Sequence, residues 1–119
     1  MRLPNGDRAV VDLRKLRDYC LCMAHPRGRH KARVFARLLG FTEADAEKLR
    51  DALLSAANEA DARALDADEY GQRYSMDFRV PAEFGSQEST RRIRSLWIIR
   101  KGEDFPRFTS CYIMKRRDE

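Results

Sequence analysis

The apolar residues of this chain recur at helical spacing up to residue 64 and then give way to strings of β-formers. That change of period confines the fold to helices followed by a sheet. Leu13, Leu16, Cys20 and Met23 share one face of a helix predicted over residues 13–23, with Asp12 placed as its N-cap. Ala32, Phe35, Leu38 and Leu39 do the same over 29–39, closed by Gly40. A longer stripe, Ala46, Leu49, Leu53, Ala56, Ala57, Ala60 and Ala64, follows the capping sequence Thr42-Glu43-Ala44-Asp45 and predicts a helix over 43–65. Beyond it, Tyr70 to Val80, Ile93 to Arg100 and Phe105 to Met114 read as antiparallel strands, the last two a hairpin, while Val10-Val11 reads as an edge strand or an extended lead-in. The expected class is α+β: about three N-terminal helices within residues 12–65, packed on a C-terminal antiparallel sheet of three or four strands within 69–115.

A chain of 119 residues suits one domain spanning 1–119. No uncharged stretch approaches the roughly 20 residues that span a bilayer. The N-terminus carries Arg2, Asp7 and Arg8 where a signal peptide needs an apolar run, so a soluble cytoplasmic domain with no membrane partner is expected. Three cysteines cannot all pair within one chain, and Cys20 and Cys22 diverge on a helix; buried free thiols in a reducing compartment are the expectation. Ligand-spaced Cys and His are too few for a metal site, and no cofactor is expected.

The net charge of +5 is unevenly placed. Residues 1–40 carry ten Lys/Arg against three Asp/Glu, residues 41–69 three against nine, and residues 70–119 eleven against seven. Two basic segments thus flank an acidic one, the distribution expected of a polyanion binder that gathers its cations on one face. The plainer reading is a well-solvated charged surface.

The most informative segment is His25-Pro26-Arg27-Gly28-Arg29-His30-Lys31. Cations in the first turn of a helix oppose its dipole, a local conflict that an anionic ligand would relieve. The chain's two histidines lie five apart across the turn, and imidazole is the side chain suited to proton transfer near neutral pH. Arg27, Arg29, Lys31 and Arg33 around them would hold a phosphate. Together they match what metal-independent RNA cleavage requires: a base for the 2′-hydroxyl, an acid for the leaving 5′-oxygen and cations for the phosphorane-like transition state. The alternative is a plain interhelical turn with surface histidines. On the last strand Thr109 and Tyr112 could add a phosphate hydrogen bond and a hydroxyl or stacking surface, but their opposite parity separates them unless the strand bulges. Trp97, Tyr74 and Phe78 read as core and sheet residues, as does Tyr70.

The chain resembles the bacterial family of domains of unknown function numbered six-eight-eight-three. The resemblance rests on Leu3-Pro4-Asn5, Lys15 to Tyr19, His25 to Phe35, Leu39-Gly40-Phe41, Tyr70 to Tyr74, Trp97-Ile98-Ile99, and Pro106-Arg107 with Thr109 to Tyr112. The layout, with a His-Pro-x-Gly-x-x-Lys-Ala turn and a closing Thr-x-x-Tyr, is also similar to the barnase–EndoU–colicin–RelE ribonuclease group of bacterial toxin systems. That resemblance implies a small metal-independent endoribonuclease with His25, His30 and Lys31 on the helical side and Thr109 and Tyr112 on the sheet side as catalytic residues. Arg27, Arg29, Arg33 and Arg107 would then hold phosphates. The expected partners are RNA or another nucleic acid and, for a toxin, an antitoxin or cognate protein; a non-catalytic nucleic-acid-binding or regulatory domain is the competing expectation.

Overall fold

The computed structural model of the chain describes residues 1–81 and 90–115. The Asp12 carboxylate accepts the Arg14 amide and starts helix α1 (Leu13–Lys15). This runs on as a π-helical turn, Leu16–Cys20, in which the Leu21 amide donates to the Leu16 carbonyl five residues back. Leu16 and Cys20 are thereby both fully buried. The helix stops three residues short of its predicted end, and Met23 faces solvent at 52% exposure. Pro26, which lacks an amide and disfavours helix in the residue before it, bars any continuation through His25. The chain therefore spends its amides on turns, Cys22 donating to Tyr19 and His25 to Cys22.

Helix α2 (Arg29–Leu39) has the predicted bounds and ends at Gly40, whose φ of 75° and amide bond to Ala36 close the last turn. Helix α3 (Ala46–Glu59) is entered through a single 3-10 turn, Glu43–Asp45. The predicted capping box forms there: the Asp45 carboxylate accepts the Thr42 amide and the Thr42 hydroxyl accepts the Ala44 amide.

The third helix does not reach residue 65. The chain leaves helical geometry at Ala60, and Ala62–Asp68 forms strand β1. This segment is alanine-rich, and tertiary pairing overrides its helix propensity. Strand β2 (Gly71–Pro81) takes up its backbone groups from one side, and Arg2 bridges Asp61 near its start. Of its side chains only Ala62 is buried, and Arg63, Asp66 and Asp68 lie exposed on an edge strand whose charge discourages further pairing. With β3 (Thr90–Arg100) and β4 (Arg107–Ile113) the sheet has four antiparallel strands in the order β1-β2-β3-β4.

The helices cover one face of this sheet. Tyr74 and Met76 of β2, Ile93, Ser95 and Trp97 of β3, and Phe108 and Cys111 of β4 are buried on it, against Leu16, Phe35, Leu49 and Leu53. Tyr74 and Trp97 are thus core residues and Phe78 packs partly against the core, whereas Tyr70 is exposed at the β1–β2 turn. Val10 is the lead-in: it exchanges backbone bonds with Pro106 and Phe108 and lies parallel to Arg107 on the outer edge of β4. Among the described residues no helix is long and apolar enough to cross a membrane. The connection at 82–89 and the basic tail beyond Lys115 lie outside the described residues.

Candidate functional site

Gly28 allows the His-Pro turn to lie directly on the π-helical turn. A Cβ built there would sit 2.2 Å from the Tyr19 carbonyl oxygen. The close approach stacks the His25 imidazole edge-on against the Tyr19 ring, with centroids 4.7 Å apart and an interplanar angle of 76°. His25 Nδ1 accepts the amides of Arg27 and Gly28, both at 3.0 Å, and its carbonyl accepts the Arg29 amide. The imidazole thus acts as a side-chain cap for α2, doing what Asp or Ser usually does. A nitrogen that accepts two amides carries no proton, so the neutral ring holds its proton on Nε2 and presents it as a donor.

Lys31, in the first turn of α2, lies over the ring of the same tyrosine. Its Nζ lies 5.5 Å from the Tyr19 centroid and donates to Ser110 Oγ at 2.7 Å. His25, Tyr19, Lys31 and Ser110 therefore gather from four separate chain segments. Arg27 and Arg29 are exposed beside them in the same turn and first helical residue. No acidic residue stands in the first turn of α2.

A β-bulge decides what β4 contributes. The register shifts between Leu96 and Trp97, so that Leu96 pairs with Ser110 and Trp97 with Phe108, leaving Thr109 as the extra residue. Phe108 and Cys111, three apart, are buried in consequence. The Thr109 hydroxyl donates to the Leu96 carbonyl at 3.0 Å, closing the bulge. Tyr112 is paired with Arg94 on the sheet face away from the helices. The bulge thus brings Ser110, rather than Thr109 or Tyr112, to Lys31.

His30 and Arg33 lie on a different side of α2 and line a shallow hollow with Met23, Val34 and Arg37. Arg107 makes a bidentate pair with Glu103 at 2.9 and 2.8 Å and covers the Phe105 ring at 4.9 Å. Its charge is already matched. The two residues that composition and spacing did not single out are Tyr19 and Ser110. Tyr19 has the periodicity of neither face of its predicted helix, and Ser110 becomes prominent only through the bulge.

Beneath Lys31 lie two free thiols, Cys20 and Cys111, both fully buried; Cys22 is half-buried. A hydrogen bond from Cys111 favours the Cys20 thiolate, helped by Lys31 and Ser110 and opposed by burial. The Cys111 thiol is pushed up by the same bond and by its burial. Among the described residues no group of three His, Cys, Asp or Glu could hold a metal ion.

Across the sheet, Arg94 holds Asp77 in a bidentate pair at 2.8 and 3.0 Å. These bonds hold the Asp77 carboxyl below its usual value of 3.8 against a smaller opposing effect of burial, with the charges of Arg94 and then Arg92 adding to the lowering. A lowered carboxyl stabilises the fold above its unfolded pKa and loses that contribution as pH falls through the folded one. Asp77→Asn is therefore expected to lower the urea midpoint near pH ~6, with the gap to wild type closing toward pH ~3. A gap independent of pH would mean that packing, not charge, is what Asp77 contributes.

Residues 2–115 match the family model described as Domain of unknown function (DUF6883), which covers nearly the whole chain. The chain belongs to this family. No curated protein sequence and no solved structure gives a significant match.

Proposed function

We propose that the chain binds RNA and that the mouth of α2 receives a phosphate of the strand. The observation that supports this reading is the placement of Lys31 Nζ and the His25 imidazole against the single ring of Tyr19. Arg27 and Arg29 stand alongside them, at a helix start with no acidic residue in its first turn. A dianionic or monoanionic phosphate offers acceptors for all four groups and removes the clash between these cations and the helix dipole.

The catalytic form of this reading is a metal-independent endoribonuclease of the toxin type. It is favoured by the assembly of an imidazole, an ammonium and a hydroxyl from distant segments, a placement that a plain interhelical turn does not need. In the capped state the His25 Nε2–H can donate a hydrogen bond to a phosphate oxygen and Lys31 supplies charge to the phosphorane, whereas proton transfer to the leaving oxygen needs the ring protonated on both nitrogens and so gives up the Nδ1 bonds. The same Nδ1 bonds favour the non-catalytic alternative, since they withhold the imidazole from service as a base.

Purified protein incubated with single-stranded RNA in EDTA separates the readings. For the ribonuclease, wild type cleaves and His25→Ala and Lys31→Ala fall about 100-fold or more in rate. For the binding domain, no protein cleaves, and Lys31→Gln weakens a salt-dependent affinity several-fold. Salt-insensitive or absent RNA binding by the wild type overturns both.

A further inference from the structure

The sheet face opposite the helices carries a second cationic feature. Register places Asp77, Arg94 and Tyr112 in one cross-strand row, and Arg79 and Arg92 in the next. Arg79 and Arg92 are direct antiparallel partners and both are exposed. Like charges placed opposite one another destabilise a sheet. The single carboxylate in these rows, Asp77, is taken at both oxygens by Arg94. Among the described residues no carboxylate lies within ion-pair distance of Arg79 or Arg92; Arg92 Nε donates only to the Met114 sulfur at 3.4 Å. Tyr112, 36% exposed, is the direct cross-strand partner of Arg94.

Among the described residues the Arg79–Arg92 pairing is offset only by the charge of Asp77 acting on Arg92, and it is continuous with the first site. Ser110, which receives Lys31, is two residues from Tyr112 along β4, so that one strand leads from the mouth of α2 to the arginine rows. Two residues of strand advance by roughly 7 Å.

We propose that the helix-free face at Arg79, Arg92, Arg94 and Tyr112 is a docking surface for the continuation of a single-stranded RNA whose phosphate is held at α2. The proposal rests on the RNA reading above. Single-stranded RNA is the occupant that fits: its phosphates match the like-charged arginines, and its unstacked bases can lie on the exposed Tyr112 ring. A-form duplex RNA keeps its bases stacked inside the helix and cannot use that ring.

The test is fluorescence anisotropy with a short fluorescein-labelled RNA bearing 2′-O-methyl groups, which removes the 2′-hydroxyl and with it any cleavage. Arg79→Gln/Arg92→Gln is expected to weaken binding about tenfold and to flatten the salt dependence by roughly one to two phosphates. Tyr112→Ala is expected to weaken it by a further factor of about ten. The double arginine variant should melt at the wild-type temperature or above it, because a like-charge pair has been removed. Wild-type affinity in the double variant, while Lys31→Gln still weakens binding, overturns this inference and leaves the α2 site standing. No affinity in the wild type overturns the RNA reading itself and this inference with it. Equal affinity for a duplex of the same sequence overturns the single-strand assignment.

Discussion

Gly28→Ala is expected to destabilise the chain by about 3 kcal/mol, at the upper end of what overpacking costs. For a domain of this size that is a fall in melting temperature of roughly 10 °C. The cause is space alone. Gly28 has an ordinary φ of −86°, so no residue is conformationally excluded, yet its Cβ would meet the Tyr19 carbonyl oxygen at 2.2 Å and the carbonyl carbon at 2.9 Å. The obstacle is backbone and cannot rotate aside; the whole turn must lift from the π-helical segment. Lifting it pulls His25 from the Tyr19 ring and the Arg27 and Gly28 amides from Nδ1, so RNA affinity should fall with stability.

Gly102 is the internal control. It has nothing within 4 Å of its Cβ position but a φ of 84°. Gly102→Asn should therefore cost little, since Asn tolerates left-handed geometry, whereas Gly28→Asn should cost at least as much as Gly28→Ala. Urea denaturation of the three variants measures the contrast. A Gly28→Ala change within about 0.5 kcal/mol of wild type would show that the two turns can separate freely.

What was legible in the sequence follows from which forces act locally. Caps and terminators are local chemistry, and Asp12, Thr42 with Asp45, and Gly40 all perform the roles their identities suggested. Burial periodicity likewise placed α2 to the residue. The errors lie where a distant partner decides. Ala60 to Ala67 has the composition of a helix, and only the open edge of β2 makes it a strand. The predicted helix end at Met23 missed the turns in which Cys22 donates to Tyr19 and His25 to Cys22. At the site, the cationic turn was visible because its charge contradicts the helix dipole. The capping role of His25 was not, since imidazole rarely replaces Asp or Ser there. Alternation in β4 separated Thr109 from Tyr112, and it could not reveal that a bulge would deliver Ser110 to Lys31 between them.

Trp97→Ala carries the largest expected effect, about 3–5 kcal/mol, a large part of the whole stability of a domain of this size. Trp97 is 1% exposed and meets Phe108 edge-on at 5.7 Å, where β3 and β4 cross the bulge. Its removal empties the contact that holds the bulge in register, so Ser110 should lose its place beside Lys31 as well. The indole also has a polar end. Nε1 donates to Ser95 Oγ at 2.9 Å, and the Ser95 hydroxyl donates onward to the Met76 carbonyl at 2.8 Å. Ser95 is fully buried, so Ser95→Ala leaves the indole N–H without an acceptor and should cost about 1–3 kcal/mol. Trp97→Phe removes the donor and leaves Ser95 still bonded to Met76. In Trp97→Phe, adding Ser95→Ala should then cost about 1 kcal/mol less than the same change costs in the wild type. Strict additivity in that double-mutant cycle would mean that the indole N–H is satisfied elsewhere, and that shape alone fixes Trp97 at the centre of the sheet.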